Sequence, residues 1–269
     1  MRALRTRLHA FAAPWLRCSS SQGIACIVVA PCQKAAKTLT RIRPTAVSRF
    51  IIRFMASARP KNSRDWVQRH LSDPYVKRAQ VDGFRSRSVY KLTEIHAKEK
   101  LVKPGMTVVD LGSAPGGWSQ WGVKEVGPHG KFVAIDLLEM EPIAGVHFIQ
   151  ADFSESAGLN AVIEAIGGDK AKVDLVISDM APNLTGVVIT DQARLFTLGE
   201  LAMEFAVKFL KPNGVFLVKV FQGVGFEPYV KTLRANFKHV AAKKPDASRS
   251  ESRETYLMAR DLKAPQTCP

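Results

Sequence analysis

Five residues sit where an α/β sheet would gather a ligand: Asp110, Asp136, Asp152, Asp179 and Lys219. Each aspartate closes or follows a short apolar run, and Lys219 interrupts another, Val215 to Phe221. Ligands of an open α/β sheet collect at the carboxyl ends of its strands. An unpaired ammonium is costly to bury, so Lys219 needs an acidic partner or a chemical task. Asp110 leads into a glycine turn, Gly112-Ser113-Ala114-Pro115-Gly116-Gly117, and a helical pattern follows Trp118. That turn departs from the dinucleotide fingerprint G-x-G-x-x-G, because Ala114 replaces the second glycine and Pro115 stiffens the loop. Asp110 and Asp136 would repel a phosphate. They suit a cationic, hydroxyl-bearing ligand such as S-adenosylmethionine, with Asp136 at the spacing where an acid binds ribose hydroxyls. Asp152 has two open readings: it can accept a bond from an adenine amino group, or cap the helix expected near Glu155. The six histidines are scattered and the cysteines lie outside the expected body, so no metal site is expected.

The elements that must position these residues follow from periodicity. Strands are expected at Thr107 to Leu111, Lys131 to Ile135, Val146 to Gln150, Val173 to Ser178, Val215 to Phe221, Val240 to Ala242 and Glu254 to Ala259. Lys211-Pro212-Asn213-Gly214 reads as a turn. Helices are expected over Arg64 to Leu71 (Ser63 as cap), from Asp73-Pro74 to Gly83, from about Ser86 to Lys98, from Trp118 to Val126, from about Glu155, from Thr190 or Asp191 to Leu210, and from Gly225 to Phe237. Strands alternating with helices imply a mainly parallel sheet. Arg85, Arg87 and Lys91 can share an edge with Tyr90, and RNA contact is the favoured reading of that edge over a merely solvated basic face.

The formal charge of +15 is unevenly spread: ten of the 39 basic residues lie in residues 1–54 without an acid, leaving 29 against 24, or +5, for the remainder. Any nucleic-acid surface of the body must therefore come from local clusters; Lys243 to Arg253 is one. Residues 1–54 read as a misassigned start ahead of Met55, with an organellar transit peptide, and hence the mitochondrial matrix, as the alternative to a bacterial cytoplasmic location. Either way they are expected to lie outside a single domain spanning 55–263, with a tail at 264–269. Free cysteines suggest a reducing compartment. The longest apolar run in the extension, Ile24 to Ala30, is too short to span a membrane.

Several stretches together resemble the FtsJ/RrmJ (RlmE-type) methyltransferase family, from about Lys61 to Ala259. They are Arg85-Ser86-Arg87 with Tyr90-Lys91-Leu92, Asp110-Leu111-Gly112 with Ala114-Pro115-Gly116-Gly117-Trp118-Ser119-Gln120, Ser178 to Asn183, Val218 to Gly223 and Ser252-Arg253-Glu254. The resemblance implies a Rossmann-like, seven-stranded sheet with an antiparallel last strand. It implies methyl transfer from S-adenosylmethionine to the ribose 2′-hydroxyl of a uridine in large-subunit ribosomal RNA, at the aminoacyl-site loop. It maps a catalytic K-D-K-E tetrad onto Lys91, Asp179, Lys219 and Glu254, and cofactor contacts onto Gly116, Trp118, Asp136, Asp152 and Asp179. It further implies the ribosomal large subunit as partner, a monomer and no membrane. Rival readings are a cap- or tRNA-directed 2′-O-methyltransferase, an NAD-dependent oxidoreductase and a noncatalytic RNA-binding module. Lys219 has two roles open to it: general base, or a charge that orients the hydroxyl and stabilises the alkoxide.

Overall fold

The computed structural model describes residues 72–182, 186 and 188–263. Residues 1–54, the arm at 56–64, the helix expected over 64–71, Asn183 and the tail at 264–269 lie outside the described residues. In chain order the elements are α1 (Pro74–Val81), α2 (Val89–Glu99), β1 (Thr107–Leu111), α3 (Gly117–Val126), β2 (Lys131–Asp136), β3 (Val146–Gln150), α4 (Ser156–Ile166), β4 (Val173–Ser178), α5 (Val188–Phe209), β5 (Leu210–Phe221), α6 (Phe226–Asn236), β6 (Phe237–Lys243) and β7 (Glu254–Leu262).

The seven strands form one sheet in the order β3-β2-β1-β4-β5-β7-β6. Pairing is parallel from β3 through β5, and β7 runs antiparallel between β5 and β6. Alternation along the strands sends their side chains into two apolar layers. Val108, Leu175, Ile177, Leu217 and Met258 face one way, against Leu92 and Ile95 of α2 and Trp118 and Val126 of α3. Val109, Val133, Val176, Phe216 and Leu257 face the other way, against α4, α5 and α6.

Among the boundaries that differ from the sequence reading, three have a clear local reason. β5 begins at Leu210, because Val173 pairs with Leu210 across a register shift and draws the Lys211–Gly214 stretch into the strand. α2 begins at Val89 rather than Ser86: the Ser86 hydroxyl bonds the Ser88 hydroxyl and amide, which holds the chain in a turn. β7 continues to Leu262 because β6 starts at Phe237 and pairs Phe237 with Leu262. Asp73 caps α1 as expected, its side chain accepting from the Tyr75 amide at 3.0 Å.

Among the described residues no helix is long and apolar enough to cross a membrane, and no cluster of His, Cys, Asp or Glu could hold a metal ion.

Candidate active site

The glycine turn after β1 is shaped by close approach. Gly112 has φ +82°, and a Cβ there would lie 2.7 Å from the Met180 backbone. Only glycine lets the segment after β4 pass so near. Gly116, at φ +107°, would carry a Cβ 2.8 Å from Met140 Sδ and 2.9 Å from Ile143 Cδ1. The turn is thus sandwiched between the β4 exit and the β2–β3 loop.

A cleft of about 660 Å³ opens at the carboxyl edge of the sheet. Its walls carry Asp136, Asp152 and Asp179 together with Ile135, Leu137, Leu138 and Met180. Asp136 is held rigidly: Oδ2 accepts from the Ala114 amide at 2.9 Å and Oδ1 from the Leu138 amide at 2.8 Å. Each oxygen keeps a further lone pair for a ligand hydroxyl. Asp152 Oδ1 accepts from the Ser154 amide (2.8 Å) and hydroxyl (2.6 Å). Glu155, not Asp152, occupies the N-cap position of α4, so the helix-cap reading of Asp152 gives way to a carboxylate facing the cleft.

Asp110, behind the turn, is fully buried. Ser119 donates to its Oδ2 at 2.7 Å, while Oδ1 finds no partner among the described residues; the buried Ser113 hydroxyl is likewise unpaired. Burial, reinforced by the charges of Asp179 and Asp136 and opposed by the Ser119 bond, pushes the Asp110 carboxyl up to about 7.

The four tetrad residues form two ion pairs. Lys219 Nζ lies 3.0 Å from Asp179 Oδ1 and donates to the Asp179 carbonyl at 2.5 Å. Lys91 Nζ lies 2.6 Å from Glu254 Oε1, which also accepts from the Ser248 hydroxyl at 2.9 Å. Tyr256, which sequence reasoning missed, links the pairs. It sits opposite Lys219 in the β5–β7 register. Its hydroxyl donates to Asp179 Oδ1 at 3.0 Å, and Lys91 Nζ stands 5.8 Å from its ring. Burial, with the charges of Asp179 and Glu254, raises the Tyr256 hydroxyl well above its usual value, so it stays a donor. The available signal was strand alternation, which puts Tyr256 on the same face of β7 as Glu254.

A second cavity of about 250 Å³ adjoins the Lys91–Glu254 pair, walled also by Arg87, Ser88, Arg249 and Ser252. Asp179 thus belongs to the large cleft, and Lys91 and Glu254 to the small one. Gly116 and Trp118 line neither. Trp118 is 2% exposed, its indole donating to the Ser88 carbonyl at 2.8 Å and its ring 5.7 Å from that of Tyr256. It supports the site from behind.

The basic edge expected around Arg85, Arg87 and Tyr90 is differently arranged. Tyr90 is buried and donates to Asp82 at 2.7 Å. Arg87 pairs with Asp73 and donates to the Ala247 carbonyl. Arg85 donates to carbonyls of the β2–β3 loop. These guanidinium groups are engaged on the protein's own acceptors, which lie far away in sequence.

A sheet of this order, with acids along its carboxyl edge, defines a Rossmann-like methyltransferase. The FtsJ-like methyltransferase family model matches residues 84–262, and the chain belongs to that family. It is 52% identical over 206 residues to a Marinobacter nauticus protein named ribosomal RNA large subunit methyltransferase E, covering 77% of this chain and 99% of that one. A Dechloromonas aromatica protein of the same name is 53% identical over 205 residues, 76% of this chain and 99% of that one. A solved structure of a Plasmodium falciparum protein, titled a ribosomal RNA methyltransferase, matches with a TM-score of 0.56 at 26% identity, covering 66% of this chain and 98% of that one.

Proposed function

We propose that this methyltransferase moves the methyl group of S-adenosylmethionine to the ribose 2′-hydroxyl of a uridine in large-subunit ribosomal RNA, at the aminoacyl-site loop of the assembled subunit. It acts as a monomer in the bacterial cytoplasm. Residues 55–263 act as one domain, the stretch 61–100 faces the RNA, and 1–54 are dispensable. The observation that carries this reading is the link between the two ion pairs, one beside each cavity. Lys219–Asp179 borders the large acidic cleft, Lys91–Glu254 borders the small cationic one, and Tyr256 joins them. The names of the bacterial relatives support ribosomal RNA as substrate; the uridine and its loop rest on the family resemblance.

The cleft suits the donor. Its volume is that of a small-ligand site, and its three carboxylates favour a sulfonium and hydroxyls over phosphates. Asp136 would hold the ribose hydroxyls and Asp152 the adenine amino group. When bound, S-adenosylmethionine supplies an electrophilic methyl on a neutral leaving group. The chain's own residues do the rest. Asp179, fixed by Lys219 and Tyr256, sets the position of the lysine amine. Lys91 and Glu254 orient the target ribose beside it. With the donor methyl presented to the ribose oxygen, Lys219 would either take the hydroxyl proton as general base or, as an ammonium, stabilise the alkoxide while that proton passes to water. Alignment of this kind is a large part of what a protein can add to such a displacement.

Single-turnover methylation of assembled large subunits, naked ribosomal RNA and transfer RNA, with mapping of the modified ribose, tests the reading. Wild type should modify the large subunit. Lys219→Ala should keep donor affinity and lose turnover by about 10²–10⁴-fold. Lys219→Arg retains charge but cannot act as a base at ordinary pH, so its activity across a pH series separates the two roles. Near-wild-type turnover in Lys219→Ala would overturn the catalytic assignment.

A further inference from the structure

Arg85 lies midway along the link between α1 and α2, two residues before Arg87, and unlike Arg87 it does not wall the small cavity. Its Nη1 donates to the Glu141 carbonyl at 2.5 Å and approaches the Pro115 carbonyl at 3.5 Å; its Nη2 donates to the Pro142 carbonyl at 3.0 Å. Glu141 and Pro142 belong to the β2–β3 loop, and Pro115 to the glycine turn. The Arg85 amide donates to Gln120 Oε1 at 3.1 Å, and Gln120 Nε2 returns to the Gly83 carbonyl at 2.9 Å. The backbone of Arg85 is therefore anchored to α3, while its guanidinium reaches across the turn to the loop.

That loop is the same one whose first residues, Leu137 and Leu138, wall the large cleft. Both are strongly exposed, at 60% and 65%, so packing does not hold them. At its start the loop is tied by the Leu138 amide to Asp136. Further on, Met140 is buried against Gly116. Beyond Met140, Ile143 packs against Gly116, and the hydrogen bonds that a side chain makes to the loop among the described residues are those from Arg85. A planar guanidinium can serve two neighbouring carbonyls at once, which a single ammonium cannot do with the same fixed geometry.

We infer that Arg85 is a positioning residue for the methyl donor: it pins the β2–β3 loop across the glycine turn so that Asp136, Leu137 and Leu138 keep the cleft in its binding shape. This rests on the proposed donor reading of the cleft, and the assignment to the cofactor side replaces the RNA contact expected from the sequence. The residue acts through the loop and touches no reacting atom.

The test is calorimetric titration of the full chain with S-adenosylhomocysteine, alongside steady-state methylation of large subunits. Arg85→Ala should weaken product binding and raise KM for S-adenosylmethionine about tenfold, about the weight of one charge-assisted hydrogen bond lost from a preorganised wall. kcat at saturating donor should stay within about twofold, because no transition-state contact is removed. KM for the RNA and the salt dependence of RNA binding should not move, since no phosphate contact is lost. Arg85→Lys should recover only part of the affinity. Gln120→Ala, which loosens the same anchor without touching the guanidinium, should shift KM for the donor in the same direction. Unchanged donor affinity in Arg85→Ala, or a raised RNA KM with a shallower salt slope, overturns the inference. Should Arg85→Ala fail to fold, Arg85→Lys and Gln120→Ala decide on the same criteria. Failure of the wild-type chain to bind S-adenosylhomocysteine would instead sink the donor reading itself.

Discussion

Replacing Asp110 with asparagine should change how the stability of the protein depends on pH. Asp110 is fully buried at the carboxyl edge of β1, with one oxygen bonded to Ser119 and the other without a partner among the described residues. Burial in this acidic neighbourhood raises its carboxyl from 3.8 to about 7 in the folded state. Between those values the native state holds a proton that the unfolded chain has released. Stability from this group is thus fully present below the unfolded value and is lost as pH rises through the folded one. One pH unit is worth about 1.4 kcal/mol, so the roughly three-unit window amounts to about 4 kcal/mol. Asparagine is neutral throughout and keeps an oxygen to accept from Ser119. The gap in unfolding free energy between Asp110→Asn and wild type should therefore open in favour of the variant from about pH 4 to about pH 7, then level off. Urea unfolding followed by far-ultraviolet circular dichroism at half-unit pH steps reads this directly. Parallel stability curves for the two proteins would refute the reasoning, because they would mean that Asp110 titrates alike folded and unfolded.

Asp136→Ala should weaken binding of S-adenosylmethionine by about 1–3 kcal/mol, since the Ala114 and Leu138 amides lose their acceptor along with the ligand hydroxyls; unchanged affinity by calorimetry would remove Asp136 from the site. Tyr256→Phe should lower kcat about tenfold with donor affinity unaltered, the effect of freeing Asp179 Oδ1 from one fixed donor; a full-speed variant would show that Tyr256 is there only for packing. A chain beginning at Met55 should express as a folded enzyme with normal methyl transfer, because the family match begins at residue 84; a soluble but inactive product would assign the extension a part in catalysis.

The succession of strands and helices was legible in the chain. β1 and β4 have the ends expected from their apolar runs, because a strand buried inside the sheet must be apolar on both faces whatever its partner; β3, an edge strand that is only partly buried, also has its expected ends. The acids at strand ends were legible for a related reason: the parallel sheet sends every strand's carboxyl end to the same edge, so Asp136, Asp152 and Asp179 had to converge there. Lys219 announced itself as the charge in an apolar strand. What tertiary structure alone decided was partnership. Tyr256 looked like one more alternating residue until the β5–β7 register set it opposite Lys219 and on Asp179. Arg85 and Arg87 read as a basic edge, and their acceptors proved to be carbonyls 56 and 160 residues away. The turn at Lys211–Gly214 became strand because Val173 supplied a pairing edge. Local sequence carries burial and periodicity; a hydrogen-bond partner distant along the chain leaves no mark on either, so only the folded sheet could assign it.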